Sequence, residues 1–228
     1  MNTDANAEYW NHTYTGSAIP DFPSQFAAFV LGEVAPADTI IDIGCGNGRD
    51  SFFFGRHGMK VLGVDSSREA IARCSMRREQ ERHPQVDFLC QDIGSPEFLR
   101  LIEERAPRRE GSRLIYARFF LHAITPDLQD LALRAIAHLM APSDRFACEF
   151  RTQRDSFQPK VASPHYRSFI TPAALIAKMH AAKLNVLYHV EGFGLAKRGS
   201  EDPHVARIVA CPDDAEAVEL RESLHEDK

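Results

Sequence analysis

Short apolar runs rich in β-branched residues alternate with longer segments of helical periodicity along most of the 228-residue chain. Helices are predicted at 23–34, 49–57, 67–82, 96–105, 126–140 and 172–182. Strands are predicted at 39–43, 60–65, 86–92, 114–120, 145–150, 184–190 and 205–211. Several strands are almost continuously apolar, as expected where helices cover both faces of a sheet. The pattern therefore predicts one α/β domain with a mostly parallel sheet.

Three predicted helices begin with a hydroxyl residue followed by proline: Ser95–Pro96, Thr125–Pro126 and Thr171–Pro172. A hydroxyl side chain can accept a hydrogen bond from the first turn of a helix, and proline is well tolerated there because its missing N–H has no helical partner. These pairs predict N-caps at Ser95, Thr125 and Thr171.

A glycine-rich segment, IIDIGCGNGRDS, follows the first predicted strand and begins a helix. Glycines let backbone N–H groups approach a ligand closely, and a helix N-terminus favours negative charge. The spacing is Gly44-x-Gly46-x-Gly48, and Arg49 stands where a dinucleotide-binding fingerprint has its third glycine. Asp42 lies inside the strand, where a carboxylate suits a ligand with an amino group better than a pyrophosphate. The segment therefore disfavours nicotinamide and flavin cofactors.

Two further acids stand where later strands are predicted to end. Asp65 ends the second strand and can hold two ribose hydroxyls, or cap the helix that follows. Asp92 ends the third strand, where it can accept a hydrogen bond from an adenine amine, although an isolated aspartate there is often a turn residue. Because open α/β sheets bind ligands at the carboxyl ends of their strands, three acids at successive strand ends favour a nucleoside-bearing ligand.

The segments IIDIGCGNG, VLGVDSS and FLCQDI, in this order and at these separations, resemble those of the class I S-adenosylmethionine (SAM)-dependent methyltransferases. The resemblance extends over about residues 25–211. It implies a Rossmann-like fold with a seven-stranded, mostly parallel sheet whose last strand is antiparallel and whose two faces carry helices. It also implies SAM as the cofactor and S-adenosylhomocysteine as the product.

The N-terminal EYWNHTYTG is similar to a segment that folds over the cofactor in members acting on small molecules. Arg118, near the end of the fourth predicted strand, is a candidate to meet the carboxylate of SAM or the acceptor; an exposed arginine without a ligand is the alternative. The candidate cofactor-binding residues are Trp10, Tyr14, Asp42, Gly44, Cys45, Gly46, Asn47, Asp65, Ser66, Asp92, Ile93 and Arg118.

Methyl transfer from a sulfonium is an in-line displacement with an activated leaving group, so the protein mainly supplies alignment and desolvation. A general base is needed only where the acceptor must lose a proton early. His122, just past the fourth strand, is the candidate base, and packing of the following helix is its alternative role.

Positive charge is concentrated between residues 151 and 170, although the chain has 32 Asp and Glu against 27 Lys and Arg. Guanidinium groups bind carboxylate or phosphate in a bidentate way, which predicts a small anionic acceptor. The alternative is a solvated loop whose arginines pair with Glu149, Asp155 or the acidic tail. The candidate substrate-binding residues are Arg151, His165, Tyr166 and Arg167.

The composition narrows the classes of partner. A formal net charge of −5 argues against a nucleic-acid partner. No apolar stretch reaches the roughly 20 residues that a membrane span needs, and the polar N-terminus does not resemble a secretion signal. The five widely spaced cysteines predict reduced, buried thiols and no metal site. We therefore expect a cytoplasmic protein, as a monomer or homodimer, without a membrane partner.

The sequence predicts a single domain over 1–228: a cap over the cofactor at 1–35, a core at 36–211 that includes an acceptor-site segment at 151–170, and an acidic tail at 212–228. The predicted function is SAM-dependent methyl transfer to a small metabolite bearing a carboxylate or phosphate, in specialised-metabolite or surface-sugar biosynthesis. The alternatives are a SAM-binding sensor or partner protein without transferase activity, and a nicotinamide-dependent oxidoreductase. The methylated atom (O, N, S or C) is left open.

Overall fold

The computed structural model describes residues 9–14, 22–34, 37–106, 111–158 and 165–213. The strands are β1 (Thr39–Ile43), β2 (Lys60–Asp65), β3 (Val86–Cys90), β4 (Arg113–Arg118), β5 (Arg145–Arg151), β6 (Leu184–Gly192) and β7 (Val205–Pro212). The helices are α1 (9–14), α2 (Gln25–Glu33), α3 (Arg49–Arg56), α4 (Arg68–Glu81), α5 (Phe98–Arg105), α6 (Pro126–Leu139) and α7 (Pro172–Ala181). Single 3₁₀ turns follow β4 (Leu121–Ala123) and β5 (Gln153–Phe157). Most of the predicted acidic tail, and parts of the predicted cap and acceptor-site segment, lie outside the described residues.

The seven strands form one sheet in the order β3-β2-β1-β4-β5-β7-β6. Strands β1 to β5 pair in parallel, whereas β7 is antiparallel to both of its neighbours, β5 and β6. The predicted sheet with an antiparallel last strand is confirmed. The strand order reverses between β1 and β4, and this is the place where doubly wound sheets open a crevice for ligands.

Alternate residues of the central strands enter two separate hydrophobic cores, one on each face of the sheet. In β1, Ile41 packs with residues of α5, α6 and α7, whereas Ile40 packs with residues of α2, α3 and α4. In β4, Ile115 and Tyr116 divide between the two cores in the same way. Burial on both faces explains why these strands read as continuous apolar runs.

The starts of two helices differ from the sequence prediction. Thr125 caps α6 as predicted, accepting a hydrogen bond from the Leu128 N–H at 3.4 Å. Ser95 does not cap α5, because its hydroxyl donates to the Glu97 carboxylate and the helix begins only at Phe98. Thr171 precedes α7 but makes no capping bond; its hydroxyl donates to the Gln153 side chain at 3.0 Å.

The cysteines are reduced, but not all are buried as predicted. Cys45, Cys74 and Cys148 are buried, whereas Cys90 is exposed and Cys211 is half-buried. Cys90 is the last residue of β3, the edge strand, which has a neighbour on one side only. Within the described residues, no helix is long and apolar enough to cross a membrane.

A buried row of charges joins three adjacent strands near the carboxyl edge of the sheet. The Glu149 carboxylate in β5 accepts from Arg118 Nε of β4 and from Arg207 Nε of β7, both at 2.9 Å. Glu149 is aligned with both arginines in the strand registers, so all three side chains share one face. The Arg207 guanidinium also lies 5.4 Å from the ring centre of Phe26 in α2. The row therefore holds β4, β5 and β7 together at the edge of the sheet where the site lies.

Replacing Glu149 by alanine is expected to lower the free energy of unfolding by about 3–5 kcal/mol, because two buried guanidinium groups lose their shared carboxylate. Urea unfolding followed by circular dichroism measures the change. Glu104→Ala is the matched control, since Glu104 pairs with Arg100 on the exposed face of α5 and such a pair contributes about 1 kcal/mol at most. Equal effects of the two substitutions would contradict a structural role for the Glu149 row.

Candidate active site

A cavity of about 670 Å³ opens at the carboxyl ends of β1, β4 and β5. All of the residues predicted above for the cofactor, the acceptor and catalysis line it. Such a volume lies within the range of cofactor and small-molecule sites. The loops after six different strands and the helix α1 contribute to its wall, so it is assembled from segments distant in sequence.

The glycine loop between β1 and α3 is held against the end of β2. The N–H groups of Gly44 and Cys45 both donate to the carbonyl oxygen of Val64, at 2.8 and 3.1 Å. Gly46 has a φ of 54°, a conformation that side-chain-bearing residues rarely adopt. A Cβ at Gly46 would also overlap the Tyr14 hydroxyl of α1. The loop needs glycine here for both reasons, and α1 covers it closely.

Asp42, the last residue but one of β1, carries a buried carboxylate. Its side chain is 2% exposed and accepts one hydrogen bond from the Ser51 hydroxyl, at 2.5 Å. Burial raises the pKa of Asp42 to about 7; the Ser51 hydrogen bond opposes the shift, and the nearby Asp50 and Asp65 add to it. A cationic ligand group would stabilise the ionised form, as the sequence suggested for an amino group.

The two other strand-end acids differ in their surroundings. Asp65 is half-buried, and its two carboxylate oxygens accept from the N–H groups of Gly46 and Ser67, both at 2.9 Å. Burial raises the pKa of Asp65, while these backbone hydrogen bonds oppose the shift. Asp92 is exposed, two residues beyond the end of β3, and accepts from the Gly94 N–H at 2.6 Å. Both carboxylates are thus oriented by backbone donors and keep lone pairs for further hydrogen bonds.

Asp50 is a site residue that the sequence did not reveal. It is 5% exposed, lines the cavity and accepts from the Ser24 N–H, the Ser24 hydroxyl and the Tyr116 hydroxyl, at 2.8, 2.7 and 2.8 Å. Arg49 lies beside it, with Nε 3.8 Å from the carboxylate. The cluster ties α2, α3 and β4 together beneath the cavity. Its partners are far apart along the chain, so no local pattern could have indicated it.

Arg118 is held on one side only. Its Nε donates to Glu149, and its guanidinium lies 4.1 Å from the ring centre of Phe119. Burial lowers the pKa of Arg118, but the charges of Glu149 and Asp50 and the hydrogen bond to Glu149 together outweigh that effect, and the net shift is upward. Among the described residues, no hydrogen bond involves its two terminal nitrogens. Arg118 is therefore charged, fixed in position and able to donate further.

Arg151, by contrast, already has both of its terminal nitrogens in use. One donates to Asp155 at 2.8 Å and the other to Glu201 at 2.6 Å, with 8% of the side chain exposed. Asp155 is fully buried and also accepts from the His204 N–H at 3.0 Å. The pairing of Arg151 with Asp155 is the alternative that the sequence left open, and it connects β5 to the β6–β7 loop.

The other three predicted acceptor residues lie on the segment that follows residue 164. Arg167 is half-buried and makes no ion pair with any residue that the structure describes. Burial, and then the charge of Arg151, lower its pKa. His165 stacks on Tyr9 of α1, with ring centres 4.3 Å apart, and Tyr166 lines the same wall. The segment thus contacts the N-terminal helix across the mouth of the cavity.

His122 is 4% exposed, and its Nδ1 accepts from the backbone N–H of Arg151 at 3.2 Å. Its carbonyl oxygen accepts from the Ser168 N–H at 2.7 Å. Burial, and then the charges of Arg151 and Arg167, hold the pKa of His122 well below its usual value. In the neutral ring, the lone pair of the unprotonated Nδ1 already accepts this hydrogen bond. The geometry therefore argues against a general-base role.

The β6–β7 loop is the other part of the wall that sequence reasoning missed. Its residues Ala196, Lys197, Arg198, Glu201 and Pro203 line the cavity. A bridge between Arg198 and Glu201 closes the loop, with N···O distances of 2.8 and 2.9 Å. The segment has no glycine pattern or strand-end acid that would have identified it as part of a site.

Residues 40–143 match the sequence model of a family described as a methyltransferase domain. This match covers the glycine loop, both later strand-end acids and the segment around His122. No curated protein matches the chain.

Solved structures share the fold at low sequence identity. A SAM-dependent methyltransferase from Anabaena variabilis is 20% identical over 93% of this chain and 96% of its own, with a TM-score of 0.68. A protein described by the conversion of a disulfide bond into a thioacetal group during echinomycin biosynthesis is 17% identical over 99% of both chains, with a TM-score of 0.69. The glycopeptide N-methyltransferase MtfA, complexed with SAM, is 11% identical over 84% of this chain and 95% of its own, with a TM-score of 0.64.

The family match, the strand order and the geometry of the glycine loop lead to the same assignment. Residues 40–143 form a methyltransferase domain, and a structure of the same fold holds SAM, so the cofactor is SAM and not a nicotinamide. The chain thus contains a methyltransferase domain and has the fold of solved SAM-dependent methyltransferases.

Proposed function

We propose that this methyltransferase acts on a small organic molecule that carries an anionic group. The observation that carries the proposal is the distribution of charge in the cavity: acids within β1 and at the end of β2, and an arginine without a described ion-pair partner, Arg167, on the acceptor-site segment. The fold is shared with proteins described in echinomycin biosynthesis and as a glycopeptide N-methyltransferase. These likenesses support an acceptor of the natural-product type.

The cofactor side of the cavity fits SAM. The α-amino group of SAM is cationic, and the ionised form of the buried Asp42 needs a cation. Arg118 and Arg49 are the cations available for the carboxylate of the same amino-acid moiety. The Gly44–Gly46 backbone and Asn47, which line the cavity, are the residues we expect to contact that moiety. We infer that this end of the cavity recognises the zwitterionic amino-acid moiety, with a carboxylate for its amino group and guanidinium groups for its carboxylate.

The nucleoside part of SAM fits the ends of β2 and β3. Asp65 and Ser66 are the residues we expect to meet the ribose hydroxyls, and Asp92 and Ile93 those that would meet the adenine; all four line the cavity. Asp65 is already oriented by two backbone donors, so its remaining lone pairs have a defined direction. Trp10 and Tyr14 of α1 would close the site over the cofactor.

When bound, SAM supplies a methyl group on a sulfonium that is already activated for displacement. The chain has to align the acceptor with that methyl group and to exclude water. The buried row through Glu149 fixes the floor, and the aromatic side chains of α1 and Phe119 give the cavity apolar walls. Arg151 supports the wall through Asp155 and Glu201, which leaves Arg167 as the cation proposed to bind the acceptor.

Incubation of the protein with SAM and a panel of carboxylate- and phosphate-bearing metabolites, with neutral analogues as controls, tests the proposed acceptor class. Release of S-adenosylhomocysteine and a product heavier by one methylene unit are expected for anionic compounds. Turnover restricted to neutral or cationic compounds would contradict the anionic acceptor. SAM binding without turnover of any compound would favour the sensor alternative.

The affinity for SAM is expected to fall roughly tenfold for each pH unit below about 7, because the Asp42 carboxyl must lose its proton before it can meet the amino group. Isothermal titration calorimetry at pH 6 in buffers of different ionisation enthalpy should show release of about one proton on binding. Asp42→Asn should bind SAM more weakly and remove this pH dependence. Asp92→Asn, at the exposed end of the cavity, is the control that should retain it. If the affinity of the wild-type protein for SAM does not change between pH 5.5 and pH 7, the role of Asp42 is contradicted.

The ligand-free protein should be stabilised by Asp42→Asn above pH 7. Because the folded-state pKa is raised from 3.8 to about 7, the unfolded chain loses this proton first, and the free energy of unfolding falls as the pH rises between these values. The full difference is on the order of 4 kcal/mol. Urea unfolding should show that the free energy of unfolding of the variant, relative to that of wild type, is higher at pH 8 than at pH 4.5. A difference between the two proteins that does not change with pH would show that Asp42 titrates normally.

A further inference from the structure

The tautomer of His122 is determined by the main chain. The N–H of Arg151 donates to Nδ1, so Nδ1 is the unprotonated nitrogen and the neutral ring carries its proton on Nε2. The protonated Nε2 can only donate a hydrogen bond. His122 therefore presents a fixed donor instead of a base.

Within the described ranges, this Nε2–H is a buried donor without a hydrogen-bond partner. Among the described residues, no hydrogen bond involves His122 Nε2, although the side chain is 4% exposed and lines the cavity. Buried polar groups in folded proteins nearly always have a hydrogen-bond partner. A ligand oxygen in the cavity would supply that partner.

Arg167 belongs to the segment that is hydrogen-bonded to the main chain of His122, and its charge acts on the imidazole. The N–H of Ser168, the residue after Arg167, donates to the His122 carbonyl oxygen at 2.7 Å. Arg167 lines the cavity, is half-buried and has no ion-pair partner within the described ranges. Asp155 and Glu201, the carboxylates of this region, are both bound to Arg151.

The groups that face His122 are mostly cationic. They are Arg118 of β4, Arg151 of β5, and His165 and Arg167 of the acceptor-site segment. Together with burial they keep the imidazole neutral, so the cationic field is available to an anionic ligand and is not shared with a protonated histidine.

We propose that His122 Nε2–H and the guanidinium of Arg167 form a subsite for one carboxylate group of the acceptor. The proposal rests on the proposed function, since it names the part of the acceptor that the same cavity binds. A carboxylate fits better than a phosphate, because the subsite combines one guanidinium with one neutral donor, whereas a phosphate carries up to two negative charges. The methylated atom must then be nucleophilic without help from His122.

Benzoate, benzamide and phenyl phosphate are the probes for this subsite, added to protein saturated with S-adenosylhomocysteine. Long-range ¹H–¹⁵N spectra of the histidine side chains should show His122 neutral at pH 7 and protonated on Nε2. Benzoate should shift the Nε2 signal and saturate, and benzamide should not. Arg167→Met should weaken benzoate binding at least tenfold. Arg154→Met, an exposed arginine of the same basic stretch that does not line the cavity, should leave it unchanged.

Two substitutions of His122 separate a donor from a packing residue. Glutamine can accept from the Arg151 N–H and donate into the cavity, so His122→Gln should keep benzoate affinity within about threefold. His122→Phe fills a similar volume without a donor and should weaken it tenfold or more. Thermal unfolding and S-adenosylhomocysteine affinity of both variants show whether the fold and the cofactor side are intact.

Three results would overturn the subsite: protonation of His122 on Nδ1, benzoate binding that is indifferent to Arg167→Met, or tighter binding of phenyl phosphate than of benzoate. Failure of the proposed function gives a different result. Protein that binds benzoate at His122 but methylates no anionic compound refutes the transfer and supports the subsite. If the Arg167→Met variant methylates anionic compounds as well as the wild-type protein does, the subsite is refuted and the transfer is supported.

Discussion

The burial of the Asp42 carboxylate within β1 is the constraint on which this site depends. Only Ser51 donates to it among the described residues, and Arg118, whose positive charge acts on it, is held by Glu149. A carboxylate in such surroundings is costly to ionise, which is why its pKa lies near neutrality. The glycine loop begins two residues later and admits a ligand. A cationic group on that ligand would stabilise the ionised carboxylate. Stability of the free protein and affinity for the cofactor are therefore opposed at one residue.

The arginines around the cavity divide into those that build its walls and those that are free to bind. Arg207 is held by the buried Glu149 and by the carbonyl oxygen of Leu195, and Arg151 is held by Asp155 and Glu201. Arg118 is bound to Glu149 through Nε alone, and Arg167 has no described ion-pair partner. A count of positive charges in the sequence therefore overstates the charge offered to a ligand. Of the two carboxylates that pair with Arg151, Asp155 lies inside the basic stretch and Glu201 lies outside it.

The sequence predicted the parts of the structure that depend on local order. Strand ends in a parallel sheet share an edge, so Asp42, Asp65 and Asp92 could be placed together from their positions in three apolar runs. The start of α5 was mispredicted because the Ser95 hydroxyl binds the neighbouring Glu97 side chain, and local pattern does not decide between such competitors. Asp50 was missed for a different reason: its partners lie 26 and 66 positions away, and only the fold brings them together.

The end of β4 shows how one backbone feature determines both the space and the chemistry of the acceptor side. The strand pairs with β5 as far as Arg118 and Glu149, and the next residue, Phe119, has a φ of 55°. That conformation is strained for a residue with a side chain and turns the chain away from the sheet. The Arg151 N–H therefore finds His122 Nδ1 as its acceptor, where a longer β4 would have offered a carbonyl. The break in the strand thus helps to open the cavity and, at the same place, fixes which nitrogen of the histidine carries the proton.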